Sequence, residues 1–147
     1  MARGSHMTER YGGKSGSFEL QLAEFAAQAK GAIDASLREI IIELGGSLIR
    51  MSPVDTGRFR GNWQFSITTP SAGTLDTLDP TGEQATARLV GDSIEFRAGA
   101  TGFIVNNLPY AIPLEYGHSD QAPAGMVQIT LARFQQIVEE AIRNNQV

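Results

Sequence analysis

The segment Asp55-Thr56-Gly57 is the part of this chain that most resembles catalytic machinery. Asp-Thr-Gly carries the active-site aspartate of aspartic proteases, where two aspartates share one proton, and a homodimer would supply two copies. The context disfavours that chemistry, because the triplet follows a long helical pattern and Pro53 rather than a strand. The alternative is a structural turn over Pro53, Asp55, Thr56 and Gly57. In that turn Asp55 accepts backbone N–H groups and Gly57 supplies an unusual φ angle.

A second candidate centre surrounds His118, which lies near Glu115 and Asp120. One histidine with two carboxylates matches no compact zinc motif, so we interpret His118 as a partly exposed residue beside a turn at Gly117. The chain has no cysteine, which excludes disulfides and cysteine metal sites. It also has neither a Gly-x-Ser-x-Gly nucleophile elbow nor a Gly-x-x-x-x-Gly-Lys phosphate loop. We therefore expect no metal and no cofactor.

A third candidate is the pair Arg58 and Arg60, which flank Phe59 close to Trp63. Arginines beside aromatic rings can bind a nucleic-acid backbone, but two of each are too few to define a surface. Pairing with acidic groups is the alternative. Residues 1–7, which are a tag remnant, hold one of the 12 basic residues. The rest of the chain therefore has 11 basic and 16 acidic residues. This balance argues against a DNA-coating protein and leaves room only for passive contact with DNA.

The chain consists of three segments that differ in composition. Residues 1–7 end in Gly4-Ser5-His6-Met7, the remnant of a cleavable affinity tag, so His118 is the single natural histidine. Residues 8–16 are polar and glycine-rich, which predicts a flexible arm. Residues 17–147 suit a single domain. No apolar run approaches the ~20 residues that cross a bilayer, and no signal peptide precedes Phe18, so we expect a protein made in the host cytoplasm without membrane contact.

Helical periodicity dominates the first third of the domain. We predict two helices, about 18–29 and 32–51, with Ser17 as the N-cap and a break near Gly31, where glycine costs up to ~1 kcal/mol against alanine. Gly45-Gly46 would let another segment approach closely. The second helix should end at Ser52-Pro53, because a residue before proline avoids the helical region.

Strand, loop and short-helix patterns follow. Residues 62–69 alternate Trp63, Phe65 and Ile67 with polar residues, which predicts a half-buried strand. The composition of residues 70–82 predicts a long exposed loop of functional or mobile character. Residues 83–90 are predicted to form a helix that is capped by Thr81. Short strands are predicted at 94–97 and 103–106, joined through 99–102, and a helical turn at 109–117.

The pattern at the C-terminus predicts one helix over 126–143. Its expected buried stripe is Val127, Leu131, Phe134, Val138, Ala141 and Ile142. The fold class that these elements predict is α+β, with a small, mainly antiparallel sheet packed by a long N-terminal helix and a C-terminal helix.

Three stretches together carry a family resemblance. They are Ser52–Trp63, Val105–Ala111, and Leu114–Ser119 leading into Gln121–Met126. In this order and spacing they resemble the phage neck or "tail-component" family, which includes proteins like the lambda minor tail protein Z. The hallmarks of the resemblance are Asp-Thr-Gly-Arg and a pair of motifs, Asn-Asn-x-x-Tyr-Ala followed by Leu-Glu-Tyr-Gly. The likeness covers roughly Phe18 to the C-terminus. Pro113 departs from the smooth helix expected around it.

The resemblance implies a structural virion protein of a tailed phage or prophage, at the neck or head-proximal tail end, in tail completion or head–tail joining. Such proteins assemble as rings, often sixfold, with other neck and tail proteins as partners, and need no cofactor or catalysis. The alternatives are a tail terminator-like ring protein, an acid hydrolase that uses Asp55, and a nucleic-acid-binding accessory protein that uses Arg58 and Arg60.

The aromatic segment late in the chain is the expected subunit interface. Tyr110, Glu115, Tyr116 and His118 lie among prolines that stiffen the backbone. Aromatic side chains are enriched at interfaces, and stiff loops lose less entropy on docking. We therefore expect these four residues to contact a neighbouring subunit.

Overall fold

The computed structural model describes residues 15–117, 119–122 and 124–146, and these residues contain five α-helices, one 3₁₀ turn and two strands. For residues 15–20 the description covers the backbone alone. The elements are α1 (Ser15–Met51), the 3₁₀ turn (Arg60–Asn62), β1 (Gln64–Ile67), α2 (Glu83–Ser93), β2 (Gly102–Val105), α3 (Ala111–Glu115), α4 (Val127–Ala132) and α5 (Phe134–Asn144). The predicted α+β class is confirmed.

Helix α1 runs without interruption through Gly31, so the predicted break there is wrong. A Cβ at Gly31 would meet nothing within 4 Å. The helix-forming alanines, glutamine and lysine before it offset a glycine cost of about 1 kcal/mol. The helix begins at Ser15, which puts Ser17 inside it and not at its N-cap. Of the expected arm 8–16, residues 8–14 lie outside the described residues, and the last two belong to α1.

The sheet consists of β1 and β2, paired antiparallel with Phe65 opposite Ile104. Trp63 and Phe65 are buried, as the alternation predicted. The strand predicted at 94–97 does not form, because α2 continues to Ser93 and Ile94 keeps helical φ and ψ angles. Phe96 nevertheless reaches the core, where its ring centroid lies 6.2 Å from that of Phe65. The partner of β2 is therefore β1.

The predicted C-terminal helix is divided into α4 and α5 at Arg133. Ala141 is buried as predicted and Val138 is partly buried. The other four members of the expected stripe, Val127, Leu131, Phe134 and Ile142, are 37% to 59% exposed. The buried face is instead formed by Thr130, Ile137 and Ala141. A hydrogen bond of 2.8 Å between the hydroxyls of Thr130 and Ser47 of α1 satisfies the polar member of this face.

The core lies between the C-terminal half of α1, α2 and β1. Its large members include Leu48, Ile49, Phe59, Trp63, Phe65, Leu89, Phe96 and Met126. The predicted close approach at the glycine pair is confirmed at Gly45, where a Cβ would lie 2.5 Å from Cδ2 of Leu89 in α2. A side chain at Gly45 would therefore force Leu89 to move where α2 packs against α1.

Candidate functional site

The three stretches that carry the family resemblance meet in one region, which we call the motif region: Ser52–Trp63, Val105–Ala111 and Leu114–Met126. His118 and Pro123 of the last stretch lie outside the described residues. The backbone N–H of Val54 donates to Oε1 of Gln121 at 2.9 Å, and Nε2 of Gln121 donates back to the Val54 carbonyl at 3.1 Å. Nδ2 of Asn106 donates to the carbonyl of Phe59 at 2.9 Å. Segments distant in the sequence are therefore joined by side-chain-to-backbone hydrogen bonds.

The Asp55-Thr56-Gly57 turn sits at the edge of this region. Asp55 and Thr56 are exposed, whereas Pro53 and Gly57 are buried. The hydroxyl of Thr56 accepts the N–H of Arg58 at 3.3 Å, which is the kind of contact we had expected of Asp55. Gly57 has a φ of +89°, and a Cβ there would lie 2.3 Å from the backbone nitrogen of Pro80. Glycine is required because the 70–82 loop crosses directly over it.

The 70–82 loop is largely exposed, as predicted, but it is tied to the body of the molecule. Asn62 is fully buried, and its Oδ1 accepts the N–H of Leu75 at 2.7 Å while its Nδ2 donates to the Leu75 carbonyl at 3.0 Å. Nδ2 of Asn107 donates to the carbonyls of Ser71 and Gly73, each at 2.9 Å. Two asparagines thus bind backbone at both ends of the first half of the loop.

The arginine and aromatic cluster is engaged inside the chain. Arg60 donates to the carbonyls of Pro80, Arg50 and Ser52 at 2.8, 3.0 and 2.8 Å. These contacts fasten the C-terminal end of α1, and they replace the acidic partners that we had expected. The indole Nε1 of Trp63 donates to the Ser52 hydroxyl at 2.7 Å. Three of the four residues considered for nucleic-acid binding, Phe59, Arg60 and Trp63, therefore support the fold.

Glu115 binds the N-terminus of α4. Its Oε1 accepts the N–H groups of Met126 and Val127 at 2.8 Å each, and its Oε2 accepts the N–H of Gln128 at 2.9 Å. Burial raises the pKa of the Glu115 carboxyl. The hydrogen bonds from Val127, Met126 and Gln128 outweigh it, so the pKa lies below its ordinary value of 4.5. A carboxylate is also favoured at the positive end of a helix. Glu115 thus acts as a helix cap supplied from another element.

Gly125 makes the cap possible. Its φ is +82°, and a Cβ would lie 2.3 Å from the carbonyl oxygen of Glu115 and 2.7 Å from its Oε2. The chain can pass this close to Glu115 only without a side chain. Glycine at this position therefore allows α4 to begin directly above the carboxylate.

An exposed apolar surface remains on α3, which we call the aromatic patch: Tyr110, Ile112 and Tyr116, exposed by 40%, 70% and 72%. The Tyr110 ring contacts Phe59, with centroids 5.9 Å apart. Pro113 fits because it is the third residue of α3, and the first four N–H groups of a helix have no intrahelical acceptor. Of the residues expected at an interface, the two tyrosines are accessible, Glu115 is engaged within the chain, and His118 lies outside the described residues.

One buried cap escaped the sequence analysis. Asp79 is 2% exposed, and its Oδ2 accepts the N–H of Ala85 at 2.8 Å. Thr81, the predicted cap of α2, accepts the N–H of Glu83 at the longer distance of 3.4 Å. An aspartate ahead of a helix is a sequence signal for such a cap, but Asp79 lies farther upstream than an N-cap does.

Comparisons with models of known protein families, with curated proteins and with solved structures found no match. Among the residues that the structure describes, no group of three or more histidine, cysteine, aspartate or glutamate side chains is placed to hold a metal ion. Over the same ranges, none of the helices is long and apolar enough to span a bilayer. The functional argument therefore depends on the motif region and on the exposed surfaces of the chain.

Proposed function

We propose that this chain is a structural protein of a tailed phage or prophage particle that acts at the neck or the head-proximal end of the tail, in tail completion or head–tail joining. The observation that carries the proposal is the motif region. Three stretches that resemble the neck family only as a set also pack on one another, through Gln121 and Asn106, and the Glu115 carboxylate closes the third stretch on its own C-terminal end. Packing of the stretches on one another is what a shared structural motif requires, and it supports the proposal.

The chemistry of the motif residues supports a structural role over a hydrolytic one. Their polar groups bind backbone N–H and C=O groups, and Gly57 and Gly125 permit close backbone contacts. Asp55 stands on an exposed turn, whereas a carboxyl that shares a proton needs a second carboxyl held against it. The motifs thus account for how the fold is held together without any catalytic step.

The aromatic patch is the surface that we assign to contact with a neighbouring phage protein or subunit. Tyrosines are typical anchors of protein interfaces. Tyr116 and Ile112 are each about 70% exposed, and they stand on a short helix held in place by the Phe59 contact of Tyr110. A ring of subunits related head to tail would use this patch against a different surface of the next copy.

Complementation of a phage deleted for this gene tests the proposal. We expect the deletion to leave heads and tails unjoined in electron micrographs, and the wild-type gene to restore infectious titre. Tyr116→Ala should fold and fail to restore it. Two variants should restore it fully: Asp55→Ala, and as a matched control Leu78→Ala, an apolar loop residue that is 56% exposed.

Each contrary result has a specific meaning. Joined, infectious particles without the gene would overturn the proposed function. Tails of irregular length would indicate the tail terminator instead. Loss of titre in a normally folded Asp55→Ala variant would favour the hydrolase. Normal titre with a folded Tyr116→Ala variant would remove the aromatic patch as the interface.

A further inference from the structure

The N-terminal half of α1 carries an apolar stripe that no other described part of the chain covers. Leu22, Phe25 and Ile33 are 57%, 60% and 52% exposed, and Ala26 and Ala29 lie between them at helical spacing. Farther along the same helix, Ile41 and Leu48 belong to the core, and α5 packs alongside. Helix α1 thus begins outside the body of the molecule and enters it only in its second half.

A projecting helix of this kind needs a partner. Residues 15–33 extend over about 28 Å at the rise of an α-helix. Single helices of this length are marginal in water, because most of the stability of a protein helix comes from packing of its apolar face. An apolar stripe with helical period on a projecting helix therefore indicates a surface that is covered in the functional state.

A groove lies beside this stripe, between α1 and the C-terminal end of α5. It has a volume of about 660 Å³, and its walls include Ile33, Leu37, Ile40, Val138 and Ile142. Ile142 is 52% exposed. Apolar grooves between helices bind the apolar edge of an amphipathic helix, whose side chains enter at a spacing of three and four residues. The first half of α1 has that spacing.

We infer that the occupant is a second copy of this chain, with the two α1 helices packed antiparallel around a twofold axis near residues 27 and 28. In this arrangement Leu22 of one copy faces Ile33 of the other, and Ala26 faces Ala29. The small alanines let the helices approach closely at the centre, while the larger side chains fill the ends. The N-terminal end of each α1 then reaches the groove of the other copy. Such a patch is complementary to itself, as a twofold contact requires.

The large exposed side chains supply much of the area that a specific dimer needs. A half-exposed side chain of this size leaves roughly 100 Å² accessible. The exposed apolar surface of four side chains in both copies therefore totals on the order of 800 Å², before the alanines and the groove walls are added. The four are Leu22, Phe25, Ile33 and Ile142. Specific interfaces bury about 1,200 Å² or more in total. By contrast, residues 1–14 of the chain itself offer only Met1, Met7 and Tyr11 as large apolar side chains.

Sedimentation velocity of the full chain tests the inference, which does not depend on the proposed phage function. Wild type should sediment at twice the mass of the chain. Phe25→Lys should raise the dissociation constant about a hundredfold or more, because the substitution acts at two symmetric places. Lysine keeps a high helix propensity, and fluorescence of the buried Trp63 checks that the body stays folded. Leu131→Lys is the matched control, since Leu131 is a 59% exposed leucine on α4 outside the twofold contact.

Three results would overturn the inference. Wild type that stays monomeric at every concentration removes the dimer. A Leu131→Lys variant that dissociates as strongly as Phe25→Lys indicates a head-to-tail contact between α1 and the α4–α5 surface. A folded Phe25→Lys variant that remains dimeric, whatever Leu131→Lys does, places the dimer contact outside the α1 stripe.

Inter-label distances test the antiparallel direction. The chain has no cysteine, so Gln21→Cys and Gln28→Cys each provide a single site for a spin label on the exposed surface of α1. The antiparallel pair places the two labels almost level at position 28 and offsets them by roughly 20 Å along the axis at position 21. The measured distance should therefore be longer at 21 than at 28. Equal distances at both positions would indicate parallel helices and contradict the twofold arrangement.

Discussion

Removal of the Glu115 carboxylate gives the sharpest test of how the motif region is held together. In Glu115→Ala the N–H groups of Met126, Val127 and Gln128 lose the acceptor that lies 2.8 to 2.9 Å away. In Glu115→Gln the side chain keeps its length and one acceptor oxygen, but it loses the negative charge and the second oxygen. The two variants therefore separate loss of the contact from loss of charge.

The magnitude follows from which N–H groups water can reach. Met126 is 1% exposed, so its N–H is the group most difficult to hydrate once the carboxylate is gone, whereas the N–H groups of Val127 and Gln128 lie at the surface. A hydrogen bond to a charged group contributes about 1.5 to 3 kcal/mol when it is buried, and less when water can replace it. We expect Glu115→Ala to lower the free energy of unfolding by about 2 to 3 kcal/mol, and Glu115→Gln by about 1 kcal/mol.

The effect should depend on pH. Because the pKa of Glu115 is lower in the folded protein than its ordinary value of 4.5, the folded state favours the ionised form. The contribution is therefore fully present above about pH 4.5 and is lost as the pH falls through the lower, folded-state pKa. The difference in unfolding free energy between wild type and Glu115→Gln should be constant near neutral pH and shrink in acid.

Urea unfolding followed by Trp63 fluorescence measures these differences, since Trp63 is the single tryptophan and is 8% exposed. Glu95→Gln is the matched control, because Glu95 is exposed in the turn after α2. It should change the unfolding free energy by less than about 0.5 kcal/mol. A Glu115→Ala variant as stable as this control, or a Glu115→Gln difference that does not shrink in acid, would refute the assignment of Glu115 as a helix cap.

Two further substitutions test the crossing of the loop over the motif region. Gly57→Ala should lower the free energy of unfolding by more than about 3 kcal/mol, because its Cβ would lie 2.3 Å from the nitrogen of Pro80. Gly73 has a φ of +80° and open space around it, so Gly73→Ala should cost only about 1 kcal/mol. Equal losses of stability for the two variants in thermal melts would contradict this. Asn62→Ala should cost about 3 kcal/mol and expose the loop to proteases, because Leu75 loses both of its hydrogen bonds to the buried amide. Unchanged cleavage within the loop would contradict that role.

The sequence predicted the elements whose boundaries depend on local sterics. Pro53 ends α1 because the residue before a proline avoids helical angles, and the structure confirms the end at Met51. The alternation around Trp63 and Phe65 predicted a strand over 62–69, which forms over the shorter range Gln64–Ile67, and both side chains are buried. The glycine pair predicted a close approach, which occurs at Gly45. The α+β class follows from such elements taken together.

The site was predictable only as a set of residues. The three motif stretches could be marked in the sequence, but what Glu115 does depends on α4, whose first N–H groups lie eleven to thirteen residues farther along the chain. The same holds for Asn62 and Leu75, and for Asn106 and Phe59. Each of these residues is an ordinary polar side chain in the sequence. Its role is defined by a backbone group that only the folded chain brings within hydrogen-bonding distance.

Packing between elements selects which of two competing local preferences prevails. Gly31 weakens a helix, yet α1 continues through it because nothing requires a turn there. Six apolar residues marked a buried stripe on the C-terminal helix, but four of them are exposed, because burial depends on which face meets α1. The face that packs against α1 contains Thr130, which forms a hydrogen bond with Ser47, and the buried Ile137. Periodicity within one helix determines that it has an apolar face, whereas the partner surface determines which face is covered.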